Sequence, residues 1–154
     1  MAEYLTRDAV ESVPLNTPIP FEDSIRCPKG YVFHQPGTGI FILRGIVNNP
    51  QACFARYEVE FTGNVAIPTG GAVTPIATAI TVQGEARQGS RAIFTPAAVL
   101  EYGNVTSRAV IDVPRGCCLT VSVEYVNGTV NDPATTPTPL INVVDGSLGI
   151  ERKA

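Results

Sequence analysis

The chain has 154 residues, enough for one domain with a sizeable core and too few for two of ordinary size. Only 16% of its residues are charged and its net charge is −3, so it lacks the clustered Lys and Arg that a polyanion requires, which argues against nucleic acid as a partner. With 44% hydrophobic residues, either the core is large for its shell or part of the surface is covered by a partner.

Within an N-terminal stretch 1–12, residues 2–12, AEYLTRDAVES, have mild helical character, mixing Leu5, Ala9 and Val10 with Glu3, Arg7, Asp8 and Glu11. They are too few for a helix that stands alone. They read as an N-terminal arm, either frayed or docked on a neighbouring subunit through Tyr4, Leu5 and Val10, ahead of one domain over residues 13–154. No basic segment followed by an apolar core opens the chain, and no run of about 18 apolar residues interrupts it. The expectation is synthesis and assembly in the cytoplasm, without a signal peptide or a membrane partner. In that compartment Cys27, Cys53, Cys117 and Cys118 default to free thiols.

From residue 13 the text becomes VPLNTPIPF, whose prolines fit an edge strand or extended segment and exclude a central strand. Short strand-like runs follow at residues 31–34 and 40–47; the second, IFILRGIV, is apolar on both faces except Arg44 and is expected deep in the fold. In residues 54–67, Tyr57, Val59, Phe61 and Val65 alternate with Arg56, Glu58, Glu60 and Thr62, until Pro68-Thr69-Gly70-Gly71 ends the strand. Residues 74–82 and 90–95 read as further strands about a turn at 83–85, and residues 96–104 as a loop or one helical turn.

The clearest folding instruction is residues 104–125, NVTSRAVIDVPRGCCLTVSVEY, which reads as a hairpin. Val105, Ser107, Ala109, Ile111 and Val113 share one face, Leu119, Val121, Val123 and Tyr125 share another, and Pro114-Arg115-Gly116 supplies the turn between them. Residues 127–139, rich in Pro, Thr and Asn, read as a surface loop. Residues 140–144 and 148–152, split by Asp145-Gly146, form a last strand or hairpin. About eight to ten short strands with no long helix mean an all-β protein, and an antiparallel jelly-roll sandwich is the first choice among all-β folds.

Candidate chemistry is sparse. A single histidine, His34, builds neither a multi-histidine metal site nor a triad. Strand alternation would point Cys117 and Cys118 to opposite faces, one as a small core residue and one as an exposed thiol. PTGG at 68–71 is a turn, because a phosphate loop needs Gly-Lys-Ser/Thr opening a helix. Asp23, Glu85, Glu101, Asp112 and Asp132 are scattered over different elements, so no paired-carboxylate hydrolase is supported. No catalytic residue, cofactor site or metal site is assigned. The informative polar feature is a charged sheet face, on which Arg56, Glu58 and Glu60 share parity with Arg108 and Asp112, and with Glu124 on the following strand. These six either pair between subunits and fix register or form an ordinary solvated face.

The order of elements resembles the tumour necrosis factor-like jelly roll, which includes the globular heads of complement's collagen-like recognition protein. The residues that carry the likeness are 19–21 (IPF), 39–43 (GIFIL), 57–61 (YEVEF), 80–84 (ITVQG) and 113–121, nearly the whole chain after residue 12. Where that family has a Gly-Asp turn, this chain has Arg115-Gly116-Cys117, a departure that argues against calcium there. More narrowly, MAEYLTRDAV, IPTGG and DVPRGCC resemble small structural proteins of phages and prophages of gut Firmicutes. The resemblance implies a compact homotrimer without enzymatic activity. It further implies a virion component, a capsid decoration protein whose partner is the major capsid protein. The alternative is a carbohydrate- or receptor-binding module of the same fold, reading its ligand with loops such as 127–139.

Overall fold

The structure, a computed structural model, describes residues 2–26, 30–128 and 135–153. Twelve strands lie among them: β1 (Ala2–Leu5), β2 (Glu11–Pro14), β3 (Asp23–Arg26), β4 (Val32–His34), β5 (Phe41–Arg44), β6 (Phe54–Ala66), β7 (Ile76–Val82), β8 (Glu85–Ala86), β9 (Ala92–Phe94), β10 (Gly103–Pro114), β11 (Cys118–Asn127) and β12 (Leu140–Arg152). They form two antiparallel six-stranded sheets packed as a jelly-roll sandwich. The first sheet runs β10-β6-β12-β1-β3 with β2 also on β12; the second runs β4-β5-β11-β7-β8 with β9 also on β7. The count exceeds eight to ten because β8 and β9 have only two and three residues and because the N-terminal segment adds two strands.

That N-terminal segment corrects the helical reading of residues 2–12. β1 and β2 lie end to end along β12, β2 on residues 140–143 and β1 on residues 147–150. Ala2 and Tyr4 are buried, and the Tyr4 ring meets Phe41 edge-on at 4.7 Å. With only two residues per turn of alternation to satisfy, the segment gains core burial as a strand that a short helix on the surface would forgo. Between β1 and β2, Thr6 clamps β12: its N–H donates to the Gly146 carbonyl at 3.0 Å and its hydroxyl accepts from the Gly146 N–H at 3.0 Å. Residues 140–152 are thus one strand with a bulge between Val144 and Ser147, where Asp145 takes φ +53°, and the expected split at Asp145-Gly146 is this bulge.

The 104–125 segment also departs from expectation. Both strands and the turn are present, but β10 pairs with β6 in the first sheet while β11 pairs with β5 and β7 in the second. The turn is an arch between sheets rather than the bend of a hairpin. Its backbone bonds outward: Arg115 N–H to the Cys53 carbonyl at 2.9 Å, Gly116 N–H to Gly45 at 3.0 Å, and Gly45 N–H to Cys117 at 2.8 Å. Gly45 is what lets this happen, since a Cβ there would lie 2.0 Å from the Pro114 carbonyl oxygen.

Alternation places the core as read: Tyr57, Val59, Phe61 and Val65 of β6, Ile111 and Val113 of β10, and Val123 and Tyr125 of β11 are fully buried. In the 40–47 run the Phe41 and Leu43 side chains are, whereas Ile40 and Ile46, which fall outside the four residues of β5, are exposed. Two tyrosines close the ends of the sandwich. The Tyr57 hydroxyl donates to the Arg44 carbonyl at 2.6 Å, and that of Tyr125 to the Thr138 carbonyl at 2.6 Å, with burial pushing the Tyr125 phenol up to about 12. Between the sheets, Thr78 of β7 and Ser107 of β10 share a hydroxyl hydrogen bond at 3.1 Å.

Two substitutions test this architecture by denaturant unfolding at fixed protein concentration. Tyr4→Ala is expected to cost about 3–5 kcal/mol, as for a large buried aromatic, whereas an arm outside the core would cost almost nothing. Gly45→Ala is expected to cost about 3 kcal/mol or more through overpacking against backbone that cannot give way.

Candidate functional site

The outer face of the first sheet gathers five of the six charged residues singled out in the sequence. Across β6 and β10, Arg56 stands opposite Asp112 and Glu60 opposite Arg108. Arg56 donates to both Asp112 oxygens, Nε to Oδ1 at 2.8 Å and Nη2 to Oδ2 at 3.0 Å, while its guanidinium lies 5.0 Å from the Phe54 ring. Arg108 reaches diagonally to Glu58 at 3.0 Å rather than across to Glu60. Lys153 bridges Glu58 at 3.5 Å and Glu151 at 3.4 Å, neutralising two carboxylates that face one another across β6 and β12.

Hydrogen bonding sets the electrostatics of this ladder. The Arg56 guanidinium holds the Asp112 carboxyl below its ordinary range, and the Arg108 guanidinium does the same for Glu58. Beside the ladder, a shallow groove of about 240 Å³ is lined by Glu3, Glu60, Thr62, Ser147 and Gly149. Among the residues whose side chains the structure describes, neither Glu3 nor Glu60 forms an ion pair, and Glu3 stands opposite Arg26 in the β1–β3 register.

Glu124 does not belong to this face. It lies half-buried on β11 in the second sheet, bridged to Pro18 and accepting from the Ser122 hydroxyl at 3.2 Å. The parity argument placed it wrongly because it assumed that β10 and β11 pair. Of the arm residues, Tyr4 is buried in the chain's own core and Leu5 is half-buried, while Val10 is exposed.

The remaining candidates resolve simply. His34 stacks on Phe41 at 4.3 Å, and its Nε2 lies 2.8 Å from the Thr38 carbonyl oxygen, as an N–H donor would. Cys117 and Cys118 are both exposed, correcting the opposed-face reading: Cys117 is still in the turn, bonded to the Pro114 carbonyl, and alternation begins only at Cys118. Among the described residues no three His, Cys, Asp or Glu side chains gather to hold a metal. Cys27, Asp132 and the 129–134 part of the long loop lie outside the described residues.

A feature with no periodic signal in the sequence lies on the flank where β9 leads through residues 95–102 into β10. The Phe94 ring fills the space above Gly103, where a Cβ would fall 2.4 Å from it, and this turns Ile93 outward. Ile93, Leu100 and Tyr102 are each 41–51% exposed, while Val110, 48% exposed, stands on the outer face of the first sheet between Arg108 and Asp112. The same flank carries Arg87, close enough to act on Asp112, and Arg91; neither is ion-paired among the described residues.

A two-sheet jelly roll with this strand order is a tumour necrosis factor/C1q-like fold, and solved structures bear that out. The chain is similar to the globular domain of zebrafish complement 1qA protein, with 15% identity over 94% of this chain and 93% of that one and a TM-score of 0.57. It is similar to Eiger TNF from S. frugiperda at 10% identity, covering 100% and 92%, TM-score 0.60. Murine APRIL shows 12% identity, 96% coverage of both chains and a TM-score of 0.52. No protein-family profile and no curated protein sequence matches the chain. At such identities the likeness establishes the fold.

The charge ladder sets an acid limit. A carboxylate whose pKa is depressed in the folded state stabilises the protein above its unfolded pKa, and that contribution fades as pH falls through the folded value. Thermal midpoints are therefore expected to hold between pH 7 and 5 and to decline below about pH 4. Asp112→Asn is expected to lower the midpoint at pH 7 by only about 1–4 °C, because the pair is exposed, and to flatten the acid decline.

Proposed function

We propose that the chain is a non-enzymatic structural protein that works as a homotrimer and decorates a phage capsid. The observation that carries the oligomer is a mismatch of surfaces on one chain. The β9–β10 flank is apolar and cationic, through Ile93, Tyr102, Arg87 and Arg91, while the groove on the face of the first sheet is anionic, through Glu3 and Glu60. Two different patches that complement each other make a head-to-tail contact, and a head-to-tail contact yields a closed ring when the rotation per subunit closes. Three is the copy number that the tumour necrosis factor-like resemblance implies.

The capsid role rests on the phage-like leader, IPTGG and DVPRGCC segments together with a nearly uncharged set of loops. Residues 67–75 contain no charged side chain and carry exposed Val73, and Leu100 N–H ties them to the 95–102 loop through the Ile67 carbonyl at 2.9 Å. These loops stand at one end of the sandwich, where many weak contacts repeated over a lattice add by avidity.

The native mass of the full-length protein tests the oligomer. Light scattering is expected to give three times the 16.3 kDa of one chain at micromolar concentration. Ile93→Asp is expected to release monomers with an unchanged fold by circular dichroism. Glu60→Arg is expected to weaken the trimer and Arg91→Glu to restore it in the double variant. A wild-type monomer would sink the trimer; a trimer that does not bind capsids of its own phage lacking the decoration protein would sink the capsid role alone.

A further inference from the structure

At the end where β6 begins and β12 finishes, the sandwich holds a cation that the described residues do not neutralise. Arg152, the last residue of β12, stands opposite Tyr57 in register and so turns inward between the sheets. Its guanidinium packs on the Tyr31 ring, with Cζ 4.4 Å from the centroid. Its Nη1 is buried without a hydrogen-bond partner among the described residues. None of the ion pairs formed among the described residues involves Arg152; the neighbouring acids Glu58 and Glu151 are committed to Arg108 and Lys153 on the opposite face of the sheet. An unpaired buried donor on a charged group is costly, and such a group is a standing attractor for an anion.

Beside it lies a pocket of about 300 Å³, lined by Tyr31, Val47, Asn48, Asn49, Ala52 and Arg152. Its polar lining is weighted to donors. Asn49 uses its Oδ1 to accept from the Gln51 N–H at 3.0 Å, which leaves the Nδ2 hydrogens as donors, and Asn48 brings a second amide. Among the described residues no acidic side chain lines it, and Val47 and Ala52 give it an apolar wall. The wall is held in place before any ligand arrives. Ala52 N–H bonds the Asn49 carbonyl at 3.0 Å, Arg115 bonds the Pro50 carbonyl, and Gly45 is locked to the β10–β11 turn. A preformed site spares a ligand the ordering cost.

We propose that this pocket binds a small organic monocarboxylate, its carboxylate accepting from the Arg152 guanidinium and an asparagine amide, its apolar body resting on Val47 and Ala52. A guanidinium matches the two coplanar oxygens of a carboxylate. One cation against apolar walls suits a monoanion; a phosphate dianion would be desolvated with half its charge unmatched. The site is at one end of the sandwich, away from the sheet face and the β9–β10 flank, so it stands or falls independently of the trimer.

The test is a titration of ¹⁵N-labelled full-length protein with benzoate, followed by NMR beside equal concentrations of benzamide and of inorganic phosphate at constant ionic strength. Benzoate is expected to shift the side-chain amide signals of Asn48 and Asn49 and the Arg152 Nε–H saturably, with a Kd of roughly millimolar order. Benzamide and phosphate are expected to bind about tenfold more weakly or not at all. Ala52→Leu, which fills the pocket without touching the cation, is expected to abolish the shifts while melting as the wild type does. Arg152→Lys is expected to weaken benzoate about tenfold by removing the fork. Saturation of other residues, equal binding of benzamide or phosphate, or undiminished binding by a folded Ala52→Leu would each overturn the proposal.

Discussion

Everything in this fold depends on a chain that changes sheets within a few residues. β10 and β11 are joined closely enough to pair with each other, yet beyond the turn-closing Cys117–Pro114 bond the backbone at Gly45 enters beside their ends, accepting from the Gly116 N–H and donating to the Cys117 carbonyl. Only a residue without a Cβ can come so near Pro114. Once the turn is opened in this way, β10 is free to lengthen the first sheet beside β6 and β11 to sit centrally in the second, between β5 and β7. The loop that delivers Gly45 is at the same time fixed, and with it the wall of the pocket beside Arg152.

The sandwich is then closed by a few polar contacts in an otherwise apolar interior. Tyr57 and Tyr125 present rings to the core and hydroxyls to carbonyls at opposite ends, so each end is sealed without an unsatisfied phenol. The Thr78–Ser107 bond ties the two sheets where both partners are fully buried and removes the cost that either hydroxyl would bear alone. The Phe21, Phe41, Phe61 and Tyr4 edge-to-face cluster fills the middle. The N-terminal strand belongs to that cluster, so the beginning of the chain serves the core of its own subunit.

Three surfaces follow from this core, and their chemistry differs because different constraints shape them. The outer face of the first sheet is a ladder of satisfied pairs with an acidic groove beside it. The β9–β10 flank is apolar because Phe94 occupies the space over Gly103 and forces Ile93 out. The end near Arg152 is cationic because the last inward position of β12 is an arginine that packs on Tyr31 and pairs with no acid among the described residues. The proposed trimer contact would draw on the first two, and the proposed carboxylate site is the third.

How much of this was legible in the sequence depends on the range of the interaction involved. Alternation is local: successive Cβ atoms point to opposite faces whatever the strand pairs with. For that reason β6, β10 and β11, buried Tyr57 and Tyr125, and the common face of Arg56, Glu58, Glu60, Arg108 and Asp112 could be read from residue order, and so could the all-β class. Which strand neighbours which is not local. The arch at residues 114–117, the exclusion of Glu124 from the charged face and the strand at Tyr4 were decided by contacts between residues far apart in the chain. Gly45 against Pro114, Thr6 against Gly146 and Arg152 against Tyr31 are such contacts. By itself the sequence determined which side of the alternating strands β6, β10 and β11 is apolar; only the tertiary structure decided which strands meet, because pairing is selected by the total burial and hydrogen bonding of the two sheets together.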